Sequence, residues 1–326
     1  MSGGRGVDGV GGGSAVAVAG RSLEALGRAR ELAAYQDEPR QMRSAVVGKS
    51  GALRLGFERR GLRTALVTME RQVPLLVQRP LYWDRSLPGM ACVPIIHTSG
   101  SVVGGDRFRV RIDVAAGAQA HVTTQAATKI HEMDANYATQ LQDVSLDHGA
   151  YLEYLPGLTI PHRHARYLTD TRVTVPDDAT MLLSEIVMPG RKHHGDGELF
   201  QYDVFSSTVS AVRPEGRSLF TEKILVEPAV RSVRRPGAMG GYDVFGTVFV
   251  MTGRDHATAI LEHTQPAFDL GGEVVSGASR LPNDAGVVFR VLGMESAPVR
   301  GRIREFWSVV RQQVLGVSVP DAFLWQ

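Results

Sequence analysis

A chain of 326 residues, 43% of them hydrophobic and 21% charged, can bury a sizeable core as one large domain or two ordinary ones. A formal charge of +2 gives no argument for nucleic acid, and no dense Lys/Arg run with interleaved aromatics is present. The single cysteine, Cys92, rules out an internal disulfide, and no apolar stretch approaches the length of a membrane span, so a cytoplasmic protein is expected.

Seven of the first thirteen residues are glycine, and Ser22–Tyr35 carries only modest helical character at Leu23, Leu26 and Leu32. Such a composition buries too little apolar surface to offset chain entropy, so residues 1–45 are expected to be a disordered extension and 46–326 a single domain. Gly48-Lys49-Ser50 ends like a phosphate-binding loop. Arg43 stands where the upstream glycine is required, and no buried strand leads in.

From Ala52 the texture is β, with strand-like runs at Leu53–Glu58, Leu62–Glu70, Leu75–Gln78 and Met90–Ile96. The clearest element follows. A glycine-rich turn ends at Asp106, and Phe108, Val110, Ile112 and Val114 then alternate with Arg107, Arg109, Arg111 and Asp113. Period-two alternation marks a half-buried strand. A small-residue turn, Ala115-Ala116-Gly117-Ala118, leads to a second strand, so the stretch reads as a hairpin unit. It closes in a threonine-rich run at Thr128-Lys129.

Comparable turns recur at Asp147-His148-Gly149-Ala150 and Pro176-Asp177-Asp178-Ala179. Self-similarity at a near-constant spacing of this order suggests a coiled, solenoid-like stack of strands. A plain sandwich is the alternative, although its hairpins recur at shorter spacing. Further strands are expected at Leu199–Val212, Ser218–Glu227, Val244–Met251 and Val287–Leu292. Asp255 can cap a short helix through His263. A last helix, about Gly301 to Leu315, carries Ile303, Phe306, Trp307, Val310 and Val314 on one stripe.

His162 and His164 are spaced to share a strand face, and His193, His194, Asp196 and Glu198 cluster in a glycine-rich loop. These are ligand types that nickel or zinc takes, yet no fixed-spacing metal motif is present, so only weak, transient contact with a metal ion is expected. No nucleophile elbow and no dinucleotide fingerprint occurs. More informative are four charged residues on otherwise apolar strands or their turns: Asp106, Lys129, Glu185 and Glu222. A charge facing a β interior must be paired or solvated, so several facing inward together would require water or a polar passage in that interior.

In collinear order, GALRLGFERRGLRTALV, PLLVQRPLY, GSVVGGDRFRVRIDV, TTQAATKIH, GAYLEYLPGLTIPHRHARY, PGRKHHGDGELF, RSLFTEKILVEP and GVVFRVLG resemble the urease accessory protein family UreD (also UreH), from about Gly51 to Trp325. One departure is Ser101, where the family usually has a second glycine after Gly100. The resemblance implies a mainly β protein, coiled in a helix-like manner, with two helices toward the C-terminus and no catalytic activity. It implies a scaffold that acts with UreF and the GTPase UreG on urease apoprotein. Nickel, brought by UreE and UreG, would cross it in transit, with no tightly bound cofactor. Asp106, Lys129 and Glu222 fall in the family's polar motifs, and Glu185 is placed with them as a passage or motif candidate. An alternative from a different class is a β-solenoid enzyme acting on polysaccharide through a carboxylate pair, with Tyr151, Tyr154 and Tyr167 as stacking platforms. A nickel-storage role for the His193–Glu198 cluster is a third.

Overall fold

Alternation along the strands decides which face each one buries. In the computed structural model, which describes residues 22–37, 48–268 and 272–321, Phe108, Val110, Ile112 and Val114 are buried while Arg109 and Arg111 face solvent. They lie on β5 (Arg107–Val114), one of seven strands in a first sheet. Its other members are β1 (Ser50–Arg60), β2 (Arg63–Gln72), β8 (Ala138–Leu146), β11 (Arg166–Thr174), β13 (Val204–Val212) and β14 (Ser218–Val226). The order is β14-β13-β11-β8-β5-β1-β2, parallel through the middle, with β2 and β14 antiparallel at the two edges.

The second sheet is built from β3 (Leu75–Val77), β4 (Ala91–His97), β6 (Gln119–Thr124), β9 (Tyr151–Tyr154), β12 (Thr180–Val187), β15 (Val244–Met251), β16 (Val274–Arg280) and β17 (Gly286–Gly293). Their order is β16-β17-β15-β12-β9-β6-β4-β3. Two short strands, β7 (Thr128–Ile130) and β10 (Thr159–Pro161), pair with each other, and β10 also touches β12.

The recurring turns are the corners of this coil. In the first sheet Val114 pairs with Leu146 and Ser145 with Thr174, so each strand meets its equivalent one coil further along the chain. In the second sheet Gln119 pairs with Tyr151 and Tyr151 with Thr180, in step with the first. Each turn is closed by a backbone bond from its fourth residue to its first: Ala118 to Ala115, Ala150 to Asp147, Ala179 to Pro176. Gly117 (φ +63°) and Gly149 (φ +65°) supply the left-handed backbone that a side chain resists.

The hairpin expected around Gly117 is not what forms. β5 and β6 lie in different sheets, and the turn carries the chain over the core. Both strands find their partners in the next coil, which gives each apolar face a place in the interior.

That interior has two parts. Between the sheets pack Leu55, Phe57, Phe108, Ile112, Val122, Leu152, Met181 and their neighbours. On the outer face of the second sheet, Leu182, Ile186, Val248, Val250, Phe289 and Val291 meet two helices, α2 (Arg254–His263) and α3 (Ser296–Leu315). β15 is covered on both sides, so all eight of its residues are buried. Ile303, Phe306, Trp307 and Val310 of α3 are the buried stripe, each contributing about 1.5–3 kcal/mol of apolar burial. Phe306 stacks on Phe289 at 4.4 Å. α2 is capped by Gly253, not Asp255, which lies in its first turn, and α3 begins at Ser296, ahead of the expected Gly301.

Within the glycine-rich extension, residues 22–37 lie against the outer face of the first sheet. Helix α1 (Leu23–Gly27) is capped by the Ser22 hydroxyl, which accepts from the amide of Ala25. Leu32 is buried with Tyr137 and Leu168, and Arg166 stacks over Tyr35. The segment takes its apolar partners from the sheet, which its own composition does not reveal. Residues 1–21 and 38–47 lie outside the described residues.

Candidate functional site: a polar cavity between the sheets

The core between the sheets is interrupted by a polar stretch. Gln140 and Gln142 on β8, Thr169 and Thr171 on β11, and Ser207 on β13 face Glu185 on β12 across a cavity of about 150 Å3. Space of this size holds several waters, each needing about 10–15 Å3 on the same scale. The walls are ordered by their own hydrogen bonds. Gln142 donates to Thr171 at 2.8 Å, Tyr154 donates to Gln142 at 2.6 Å, and Tyr167 donates to Gln140 at 3.2 Å.

The solvent-exposed part of the lining, its mouth, comprises Gly100, Ser101, the run Thr124–Lys129 and Pro156. The Thr124 hydroxyl pins it, donating to the Ala126 carbonyl and accepting from the Gly157 amide, both at 2.9 Å.

Glu185 takes a core position. Its neighbours in alternation, Met181, Leu183 and Val187, all pack between the sheets. Burial is the main influence on its carboxyl and, with the like charge of Glu222, pushes the pKa up to about 7 against a hydrogen bond from Ser207. Deep in the fold yet opening on the cavity, the residue keeps partial accessibility.

From Glu185 a polar rank crosses the second sheet. Glu185 pairs with Thr247 on β15, and Thr247 with Arg290 on β17, so all three share the inner face. Arg290 reaches both carboxylate oxygens of Glu222 on the edge strand β14 at 2.6 Å. Glu185 and Glu222 thus belong to one line of polar groups that ends at the open edge of the sandwich. Thr247 and Arg290 are not among the residues that sequence reasoning singles out. The arginine inside the apolar alternation of GVVFRVLG is the signal that could have found it.

The other two candidates sit differently. Lys129 is exposed on β7 and lines the cavity mouth. Asp106 lies outside the cavity lining, 1% exposed, with one oxygen accepting from the amide of Lys49 at 2.8 Å and the other from Val103 at 2.9 Å. It fixes the turn where β1 and β5 begin to pair. Burial raises its pKa, against the pull of those two amides.

The loop residues expected as weak metal contacts do not converge. His193 faces Glu295 at 3.2 Å. His194 and Asp196 are exposed. Glu198 is buried in a two-point pair with Arg191, whose hydrogen bonds hold its pKa down at about 2. His164 faces Asp203, while burial and the charge of Arg191 lower His162 to about 4. Among the described residues, no group of three or more His, Cys, Asp or Glu side chains is arranged to hold a metal ion.

A second polar centre lies beneath α3. Arg311, fully buried, donates to both oxygens of Glu153 at 2.6 and 2.8 Å and to Asp84 at 2.6 Å. Trp307 and Tyr151 also donate to Glu153, and His121 lies 2.8 Å from it. Burial alone would raise the Glu153 pKa, but the charge and hydrogen bonds of Arg311, with His121, hold it at about 2. The same burial and carboxylate charge push the neighbouring Cys92 thiol up to about 12, making it inert as a nucleophile at neutral pH. Both ends of this network are charges on apolar faces, Glu153 in YLEYL and Arg311 beside Val310, and neither stands out in the sequence.

Among the described residues, the aromatic platforms and carboxylate pair that a polysaccharide enzyme would need do not meet in an open groove. Tyr151, Tyr154 and Tyr167 are all buried, and the turn carboxylates Asp177 and Asp178 pair with Arg213 and His148. Among the described residues, no helix is long and apolar enough to cross a membrane.

Known proteins extend these observations. The chain is 53% identical over 300 residues to urease accessory protein UreD 2 of Brucella suis biovar 1, covering 92% of this chain and 99% of that protein. It is 52% identical over 300 residues to UreD 2 of Brucella ovis, with the same coverage. Against urease accessory protein UreD of Yersinia pseudotuberculosis serotype O:1b it is 50% identical over 303 residues, 93% of this chain and 94% of that protein. With the family model described as UreD urease accessory protein matching residues 49–326, the chain belongs to the UreD family of urease accessory proteins.

Proposed function

We propose that this chain is a non-catalytic scaffold of urease maturation. It joins UreF and the GTPase UreG on the urease apoprotein, and nickel handed on from UreE and UreG crosses its interior in the cytoplasm, with no tightly bound cofactor. The observation that carries this reading is Glu185, a carboxylate at a core position of β12, on the wall of a cavity large enough for several waters and lined by polar side chains. A protein needing only stability gains nothing from that placement, because burial disfavours the charged form.

A divalent ion in transit needs oxygen ligands that are weak enough to release it. Gln140, Gln142, Thr169, Thr171, Ser207 and Glu185 offer amide, hydroxyl and carboxylate oxygens of that kind. From Glu185, Thr247 and the Arg290–Glu222 pair continue the polar line to the edge of the sandwich.

The test is urease activation in cells lacking the native chain. Glu185→Ala is expected to lower activity at limiting nickel at least tenfold while UreF still co-purifies with the chain. Full activation by that variant, or active urease formed equally well without the chain, would overturn the reading.

A further inference from the structure

The hairpin of β1 and β2 outruns the sheet that carries it. β1 pairs with β5 only as far as Phe57–Val114, while its pairing with β2 continues through Glu58–Ala65, Arg59–Thr64 and Arg60–Arg63. These rungs project past the corner of the coil by about 10 Å at the rise of a strand. The turn is Gly61-Leu62, and Gly61 (φ +61°) takes the left-handed backbone that a two-residue hairpin turn needs. Leu62 is left at the apex, 88% exposed, where it contributes nothing to the core. Arg59, Arg60 and Arg63 flank it, all exposed, with Glu58 as the one carboxylate of the tip. The tip thus holds a net +2, as much as the whole chain.

The projecting tip is braced at its root. The Tyr82 hydroxyl donates to the Thr64 carbonyl, and the Thr64 amide donates to the Gly89 carbonyl, each at 2.8 Å. The Thr64 hydroxyl oxygen accepts from the Gln119 amide, also at 2.8 Å. Arg63 lies over the Tyr82 ring at 5.2 Å, and Arg59 donates to the Gly61 carbonyl at 2.7 Å across the turn. A tip held in this way presents its side chains without having to be ordered on binding.

We infer that this hairpin is the prong by which the chain docks on the urease apoprotein, seating Leu62 in an apolar hollow ringed by carboxylates. The inference rests on the function proposed above, which supplies the partners. Three arginines around an exposed leucine call for an acidic surface. A hairpin tip buries too little area for a lasting complex, and a small, charge-led contact suits a partner that is met and then released. Of the partners in maturation, the apoprotein is the one that an accessory protein must leave once the enzyme is complete. A bilayer fits less well, because a single leucine buries far too little apolar surface to hold a chain there. Gln119 opens β6 at the root of the hairpin and Thr124 ends it at the cavity mouth, so docking at the tip does not cover the mouth.

Binding of the full chain, in its complex with UreF, to immobilised urease apoprotein tests the prong by biolayer interferometry. Leu62→Asp and Arg60→Glu are each expected to weaken binding about tenfold or more, with unfolding midpoints unchanged. Added salt should weaken the parent more steeply than Arg60→Glu. Val230→Asp, the same change at another exposed apolar side chain, should bind as the parent does. Parent-like binding by either hairpin variant would overturn the inference, as would loss of UreF from either. So would hairpin-dependent binding to phosphatidylserine vesicles with apoprotein binding unchanged. Docking is read without activation, so a chain that docks through the hairpin yet proves dispensable for active urease overturns the proposed function alone.

Discussion

Glu185 is the residue whose charge costs the fold most directly. Its carboxyl prefers the neutral form up to about pH 7 in the folded chain, against about 4.3 for an unperturbed glutamate. A pKa raised by folding means that the native state holds the proton more tightly. This group's contribution to stability is therefore complete below about pH 4.5 and is lost as pH rises through about 7. Glu185→Gln, neutral throughout, should match the parent at pH 4.5 and exceed it by about 1–3 kcal/mol at pH 8.5, the upper end reduced by the residue's partial accessibility. Urea unfolding at the two pH values reads the difference, and a pH-independent gap between the two proteins would contradict it. Asp106, whose carboxyl pKa burial also raises, is held by structure: its two oxygens accept from the backbone amides of Lys49 and Val103, so Asp106→Ala should cost about 1–2 kcal/mol at neutral pH, and Asp106→Asn less, since an amide oxygen still serves one of them. Unchanged unfolding of the alanine variant would show that water replaces the carboxylate.

At the scale of elements, α3 is fastened by more than its apolar stripe. Ile303, Phe306, Trp307 and Val310 would hold it loosely in register; the fork of Arg311 on Glu153 and Asp84 fixes where along the sheet it sits. Arg311→Met leaves two carboxylates buried without their cation and should lower stability by about 3–5 kcal/mol. The triple change Arg311→Met, Glu153→Gln, Asp84→Asn should recover much of that loss, because a neutral cluster carries no uncompensated charge. Urea midpoints for the two variants check this, and equal destabilisation in both would place the cost in packing alone. The same elements show what a sequence discloses. The corner turns are legible because each repeats a small i-to-i+3 turn at the coil's own period, and local chemistry marks it. β5 and β6 read as a hairpin because their separation into two sheets depends on partners a full coil away along the chain, which no local pattern encodes. β16, with Gly277 and three serine or arginine positions in VVSGASR, has no clear alternation to mark it as a strand. Arg311 is hidden differently: on a helix a long cation is ordinarily read as solvated, and only the position of Glu153 across the interface makes it structural.

For the whole molecule, the parallel coil explains why a polar cavity can exist in a β core at all. Successive coils stack the same inner positions, so Gln142 lies beside Thr171, and Ser207 beside Thr169, in continuous ranks of small polar side chains. A rank of this kind satisfies its own hydrogen bonds and leaves space that a rank of leucines would fill. It opens at the loop Thr124–Lys129 and leads inward to Glu185, so its importance for maturation is tested by closing the mouth and leaving the lining alone. Ala127 lies at that mouth and is partly exposed, so Ala127→Trp adds bulk without entering the packed core. Its unfolding midpoint should stay within about 0.5 kcal/mol of the parent, as for a surface change, and UreF should still co-purify. Urease activation at limiting nickel should fall at least tenfold, while Ala127→Ser at the same position leaves it intact. Raising nickel in the medium should restore little if the passage is closed, and most of the activity if only capture is weakened. Normal activation by the tryptophan variant, with stability unchanged, would mean that the cavity is a packing feature of the coil and plays no part in urease maturation.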